Sequence, residues 1–296
     1  MTTLPPLLEV AGLEVSFPST PAEAGWRPVV RGASFTVGRG EAVGLVGESG
    51  SGKTLTALAL LGLVPPPGRV TAGRALLPAG PPEGSPGRPP LDLLTLGEPA
   101  WRAVRGRRIA MIFQEPATAF NPVFSLGFQI AEAVRAHPQG LPGHRMTRRE
   151  AWTEAARLLD RVAIADARRR LDDYPHQLSG GQRQRAMIAM ALAGRPELLL
   201  ADEPTTALDV TLQAQILELL ADLRRDLGLA VLLITHDLGV VAEACDRVVV
   251  MHEGRVVETA AVADLFRAPA DPYTRALLAA ASPSGPRWTP RAEGAS

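Results

Sequence analysis

Apolar residues along this chain follow two rhythms. In some stretches Val, Leu and Ile cluster in short runs, and in others they recur every three or four positions. Runs of the first kind predict strands over Leu7 to Phe17, Val29 to Val37, Glu41 to Val46, Val70 to Leu77, Arg108 to Phe113, Glu197 to Ala201, Leu229 to Thr235 and Arg247 to His252. Two of them, Glu197 to Ala201 and Leu229 to Thr235, are apolar almost throughout, as a strand buried on both faces requires. The second rhythm predicts helices over Leu55 to Leu61, Leu126 to Ala136, Arg148 to Ala163, Ala165 to Leu171, Leu208 to Leu227, Gly239 to Ala244 and Val262 to Arg267. In Leu208 to Leu227 the positions Leu208, Leu212, Ile216, Leu219 and Leu223 share one face. A further long helix is expected to start at Ser179, with Gln182 completing a capping box.

The texture changes along the chain. Strands dominate early, and from Gln114 to Leu178 the pattern is helical, so a helical subdomain is expected within an α/β domain. Pro78 to Pro90 is dense in Pro and Gly and predicts an irregular surface insertion, and the tail from Arg287 predicts disorder. The longest apolar run, Leu55 to Val64, is interrupted by Thr56 and Gly62 and stopped by Pro65. It falls well short of the ~20 residues of a membrane span, so a membrane role is expected to work through a partner. Met1 to Val10 lacks the charged start and apolar core of a signal peptide.

Composition narrows the class. The 296 residues are 46% hydrophobic, enough for a large core, and 31 basic residues balance 31 acidic ones. A neutral balance argues against a general nucleic-acid binder. Cys245 is the single cysteine, so neither a disulfide framework nor a cysteine-held metal cluster can form within one chain, which fits a reducing cytosol. Thirty of the basic residues are Arg, and the only Lys is Lys53. That exception marks a place where a compact ammonium on a flexible stem is preferred to a planar fork.

Lys53 lies in Gly47-Glu48-Ser49-Gly50-Ser51-Gly52-Lys53-Thr54, between a strand and a helix. Strand, glycine-rich turn and helix make a phosphate-binding loop. The backbone N–H groups and the new helix end converge on an anion, Lys53 can reach the outer phosphates and Thr54 can ligate Mg²⁺. A second motif, Leu198 to Glu203, is an apolar strand ending in two carboxylates. Beside a phosphate loop, Asp202 can hold the hydration shell of Mg²⁺ and Glu203 can act as general base towards water. A third, Leu178 to Arg185, puts Gly180 and Gly181 directly after a capping serine and forms a second anion site at a helix N-terminus.

The order of phosphate loop, Gln114, Ser179-Gly180-Gly181-Gln182, Asp202-Glu203, Ala207-Leu208-Asp209 and His236 resembles the nucleotide-binding subunits of ABC transporters, over about Leu7 to Arg267. The resemblance implies an α/β P-loop NTPase with a RecA-like core and mixed sheet, an antiparallel β subdomain and an inserted helical subdomain. It places the ATPase domain at 1–267, the helical subdomain at approximately 115–178 and a C-terminal extension at 268–296. Gln114 is then similar to the Q-loop glutamine that contacts Mg²⁺ and water. Ser179, Gly180, Gly181 and Gln182 resemble the signature that acts on the nucleotide of an opposite subunit. Asp209 resembles the D-loop residue, His236 the switch histidine, and Phe17 the aromatic that stacks on adenine, with Trp26 as the other candidate. ATP and Mg²⁺ are the implied ligands.

A finer resemblance is to the oligopeptide, dipeptide and nickel importers. It rests on the extended Q-loop Phe113 to Pro122, on Pro175-His176-Gln177, and on Pro272-Tyr273-Thr274-Arg275-Ala276-Leu277-Leu278 in the tail. Asp271 stands where that branch implies His, and the Pro78 to Pro90 stretch is longer than the branch implies. The resemblance implies a second, paralogous ATPase subunit, two permease subunits, an extracytoplasmic solute-binding protein acting indirectly, and a peripheral place on the cytoplasmic face of the membrane. Two other readings share these motifs. One is a subunit that binds ATP but hydrolyses it weakly, and intact Glu203, His236 and signature glycines argue against it. The other is a soluble DNA-associated ATPase, against which stand the lack of sustained heptads from Gln114 to Leu178 and the lack of basic excess. Nickel or another small solute is the alternative cargo.

Overall fold

The strands are, in chain order, β1 (Leu8–Pro18), β2 (Trp26–Val37), β3 (Ala42–Val46), β4 (Arg69–Leu77), β5 (Leu91–Asp92), β6 (Ile109–Ile112), β7 (Leu198–Asp202), β8 (Ala230–Thr235), β9 (Arg247–His252) and β10 (Arg255–Ala261). The helices are α1 (Lys53–Ala59), α2 (Glu98–Val104), α3 (Leu126–Ala136), α4 (Arg148–Arg161), α5 (Ala167–Arg170), α6 (Gly180–Ala191), α7 (Val210–Leu227), α8 (Leu238–Ala244), α9 (Val262–Arg267) and α10 (Pro272–Ala281). They come from a computed structural model that describes residues 5–19, 25–79, 89–115, 119–137, 146–206 and 208–281. The core of the Pro/Gly-rich stretch (80–88), residues 116–118 of the extended Q-loop, Ala207 and the tail from Arg287 lie outside the described residues. The chain divides into two units, Met1–Trp101 with Ala230–Ser296, and Arg102–Leu229.

The first unit holds two sheets. One is antiparallel, in the order β2-β1-β4-β5. Leu8, Val10, Leu13 and Val15 of β1 are buried, and the alternation slips where the register shifts between Val10 and Leu13. The other is mixed: β3 pairs in parallel with β8 and β9, and β10 runs antiparallel to β9. All five residues of β3 and all six of β8 are buried, which is why both read as unbroken apolar runs. Around the end of β3, Val46 joins Leu238, Val241, Val248, Val250, Val262 and Leu265 in one core. Tyr273, Leu277 and Leu278 of α10 pack against it.

The second unit is built on a parallel pair, β6 and β7. Arg108 Nε reaches Glu197 Oε1 at 2.6 Å, and the Arg108 carbonyl accepts from the N–H groups of Glu197 and Leu198. These bonds level the starts of the two strands, so their ends are level too, with Ile112 opposite Ala201. The helices α3 and α4 pack on each other and on α6, burying Leu126, Ile130 and Val134 from α3 and Ala151, Ala155 and Leu159 from α4. Along α7 the buried face is Ile216, Leu217, Leu219, Leu220 and Leu223.

Several boundaries differ from the sequence pattern for local reasons. The helix expected from Leu208 begins at Val210, because the Asp209 carboxylate accepts from Leu212 N–H at 2.9 Å and caps the chain there. The helix expected from Leu55 begins at Lys53, directly after Gly52 at φ 99. Helix α2, strand β10 and helix α10 are not expected from periodicity. Strand β10 is held by its ladder to β9, and α10 by the core it covers. Among the described residues no helix is long and apolar enough to cross a membrane.

Candidate functional site

The phosphate loop, His236, Gln114 and the Asp202-Glu203 pair sit at or just past the carboxyl ends of parallel strands, where open α/β sheets place their ligands. In the first unit Val46 and Thr235 are paired across β3 and β8, so the phosphate loop and His236 leave from neighbouring positions on one sheet edge. In the second unit Ile112 and Ala201 are paired across β6 and β7, so Gln114 and the Asp202-Glu203 pair leave together.

The loop after β3 is tightly confined. A Cβ on Gly47 would run into the backbone carbonyl of Met251 and come within 2.8 Å of Ser51 Oγ. Gly50 faces open space, but at φ 81 its backbone is in the region that disfavours side chains. Lys53 is buried, and its Nζ donates to the carbonyls of Gly47 and Glu48, each at 2.8 Å. The ammonium is thereby curled over the loop instead of extending into solvent. Ser51 is buried and its Oγ has no protein hydrogen-bond partner. An unsatisfied hydroxyl inside a glycine-rich turn suits a phosphate oxygen. Ser49, Gly52 and Thr54 complete the loop, with Thr54 in the first turn of α1.

In the second unit Gln114 Nε2 donates to Glu203 Oε2 at 3.1 Å, and Thr206 Oγ1 donates to the same oxygen at 2.8 Å. Both bonds fix the direction of the carboxylate. Glu203 also holds a left-handed backbone, φ 46, a conformation that costs a side-chain-bearing residue free energy. Asp202, the last residue of β7, is buried. Thr206 is not among the residues that the sequence motifs single out. Its spacing of three from Glu203, within one turn, is the signal that could have pointed to it.

The start of α6 matches the expected capping box. Gln182 N–H donates to Ser179 Oγ at 3.2 Å, and Ser179 N–H donates to Gln182 Oε1 at 3.0 Å. The two glycines differ in what surrounds them. A Cβ on Gly180 would meet nothing within 4 Å, whereas one on Gly181 would lie 3.1 Å from Leu212 Cδ2. Gly180 therefore keeps the helix tip open, and Gly181 lets α7 approach. The Asp209 carboxylate serves as the cap of α7, and it is exposed.

The two aromatic candidates lie on one hairpin, Phe17 opposite Arg27 and Trp26 opposite Pro18. The Phe17 ring packs against Gly68, at which a Cβ would collide with it. Trp26 is exposed and carries the Arg69 guanidinium over its ring, 3.6 Å from the centroid.

The family described as ABC transporter matches residues 30–206. The probable peptide ABC transporter ATP-binding protein y4tR of Sinorhizobium fredii is 53% identical over 272 residues, which span 92% of this chain and 76% of that one. A putative peptide import ATP-binding protein of Brucella abortus is 50% identical over 275 residues, 93% of this chain and 77% of its own. Among solved structures, the dimeric structure of MJ0796, a bacterial ABC transporter cassette, is similar with a TM-score of 0.70 at 25% identity, over 86% of this chain and 98% of that one.

Proposed function

The chain belongs to the ABC transporter family, and on that premise we propose that it is the ATP-hydrolysing subunit of an importer that moves peptides across the cytoplasmic membrane. The observation that carries this reading is the Glu203 carboxylate, aimed by Gln114 and Thr206 at the end of an apolar strand. Cargo class follows the names of the two relatives above, each at least half identical to this chain. Residues 1–267 form the ATPase domain, with the helical subdomain over approximately 115–178, and 268–296 form the C-terminal extension.

Roles follow from side-chain chemistry. The loop Gly47 to Thr54 binds the phosphates through backbone N–H groups and Lys53. Phe17 stacks on adenine in this reading, with Trp26, whose ring carries Arg69 on one face, as the other candidate. The hydroxyl of Thr54, the amide oxygen of Gln114 and the carboxylate of Asp202, the last through water, are all hard oxygen donors and fit Mg²⁺. Bound there, Mg²⁺ supplies charge neutralisation on the phosphates. Glu203 accepts a proton from the attacking water as its oxygen bonds to the γ-phosphorus and the bond to the ADP oxygen breaks, with His236 and Gln114 assisting. The open tip at Ser179 and Gly180 caps the γ-phosphate held by a second ATPase subunit, with Asp209 beside that interface. Two such subunits then enclose ATP between them, a paralogous partner being the expected second member. ATP favours the closed pair only through better binding there, and hydrolysis removes that bias.

A membrane partner has a place to dock. Phe113, Val123, Phe124 and Phe128 are exposed in the stretch of sequence around Gln114, and Phe124 stacks on Phe128 at 4.8 Å between centroids. Exposed aromatic clusters mark interaction surfaces, and two permease subunits supply the apolar partner. The chain then sits peripherally on the cytoplasmic face, with the solute-binding protein acting on the far side. Cells carrying Glu203→Gln in place of the parent chain are expected to lose uptake of a labelled short peptide. Normal peptide uptake alongside lost ATPase activity would overturn the cargo assignment and leave the ATPase assignment standing.

A further inference from the structure

The C-terminal helix touches the phosphate loop. Tyr273 Oη accepts a hydrogen bond from Glu48 N–H at 3.2 Å, across 225 positions of sequence. Its ring stacks on the imidazole of His252, the last residue of β9, with centroids 3.8 Å apart and planes 26° apart. Glu48 is thus held on both sides: its N–H by Tyr273, and its carbonyl by Lys53 Nζ at 2.8 Å and Ser51 N–H at 3.2 Å. The loop leans on the same β-hairpin elsewhere, through Gly254 N–H to the Ser51 carbonyl at 3.1 Å.

The helix that carries Tyr273 is itself firmly placed. Asp271 Oδ1 accepts from Tyr273 N–H at 2.8 Å, which gives a capping role to the residue that departs from the expected His. Glu258 of β10 accepts from Ala270 N–H at 2.8 Å and from Asp271 N–H at 3.0 Å. Leu277 and Leu278 pack on the core that contains Val46, the residue immediately before the loop. Burial pushes the Tyr273 phenol above its usual value, with the Glu48 N–H pulling the other way and the Glu48 carboxylate adding to the rise.

We propose that Tyr273 is a positioning residue of the phosphate loop, through which the C-terminal helix holds Gly47 to Ser49 in the nucleotide-binding form and so sets nucleotide affinity. A glycine-rich loop loses much conformational entropy when it orders around a ligand. A contact that orders it beforehand lowers that cost. The effect falls on binding more than on the chemical step, since the Tyr273 hydrogen bond is to the loop backbone at Glu48.

The proposal rests on the nucleotide-binding reading, and the test separates the two. Tyr273→Phe keeps the ring against His252 and removes the acceptor. ADP titration should show Kd raised by roughly 3- to 10-fold, the range of one net hydrogen bond. KM for ATP should rise by a similar factor with kcat within about twofold, amide exchange at Glu48 should quicken, and the melting temperature should stay put. Unchanged affinity and exchange in the variant, with a parent that binds ADP, would overturn the proposal alone. An affinity loss accompanied by a large fall in melting temperature would also overturn it, because the tail would then be merely structural. A parent chain that binds no ADP would sink the nucleotide reading and this inference with it.

Discussion

Gln114 Nε2 lies 3.1 Å from Glu203 Oε2, and the residue it steadies has its backbone at φ 46. A non-glycine residue held there stores strain of about 1–3 kcal/mol, which persists when function requires that side chain in that direction. Relief of that strain offsets the loss of the two hydrogen bonds to the carboxylate, so Glu203→Gly should unfold within about 1 kcal/mol of the parent in denaturant while losing hydrolysis. A variant destabilised by more than about 1 kcal/mol would show that the carboxylate mainly holds structure.

The paired glycines of α6 separate stability from function. Nothing lies within 4 Å of a Cβ at Gly180, so Gly180→Ala should fold with unchanged or slightly raised stability. If that open tip caps a triphosphate held by another subunit, the methyl intrudes on the anion and hydrolysis should drop by about 10²-fold, as when one transition-state donor is lost. Thermal melting and a steady-state ATPase assay on the same sample decide it. Full activity in Gly180→Ala would mean the tip faces only solvent.

Acid should loosen the C-terminal helix through Glu258. Burial pushes its carboxyl up, but hydrogen bonds from the N–H groups of Ala270 and Asp271 and the nearby Arg275 charge outweigh that, and the group ends below its ordinary 4.5. A depressed carboxyl binds fewer protons folded than unfolded. Its contribution is therefore complete above the unfolded value and fades as pH falls through the folded one. The stability gap between parent and Glu258→Gln should be flat from about pH 7 to about pH 5 and close below that. A gap that widened on acidification would contradict the sign.

Much of this architecture is legible from residues alone. Strands buried on both faces, such as β3, β7 and β8, leave unbroken apolar runs, and the glycine spacing before Lys53 is one that few turns besides a phosphate loop require. The capping box at Ser179 is readable because both of its partners lie within one helical turn. Contacts between distant segments are not readable. Nothing in Pro272-Tyr273-Thr274 says that the phenol meets Glu48, because that meeting depends on α10 packing over β9 and β3. Strand β10 escapes the pattern for a similar reason: its seven residues mix half-buried and exposed positions, and only the ladder to β9 defines them. The start of α7 falls two residues later than the apolar stripe predicts. Leu208 fits that stripe, while Asp209 competes for the first free N–H groups and wins the cap.

The most direct test is ATP hydrolysis by Glu203→Gln beside the parent, measured as a single turnover with Mg²⁺ and followed by the mass of the nucleotide-bound species. Loss of the general base should slow the step by about 10²–10⁴-fold and leave a stable, ATP-loaded pair of ATPase subunits. Hydrolysis within a few-fold of the parent, with no such pair accumulating, would contradict the role given to Glu203.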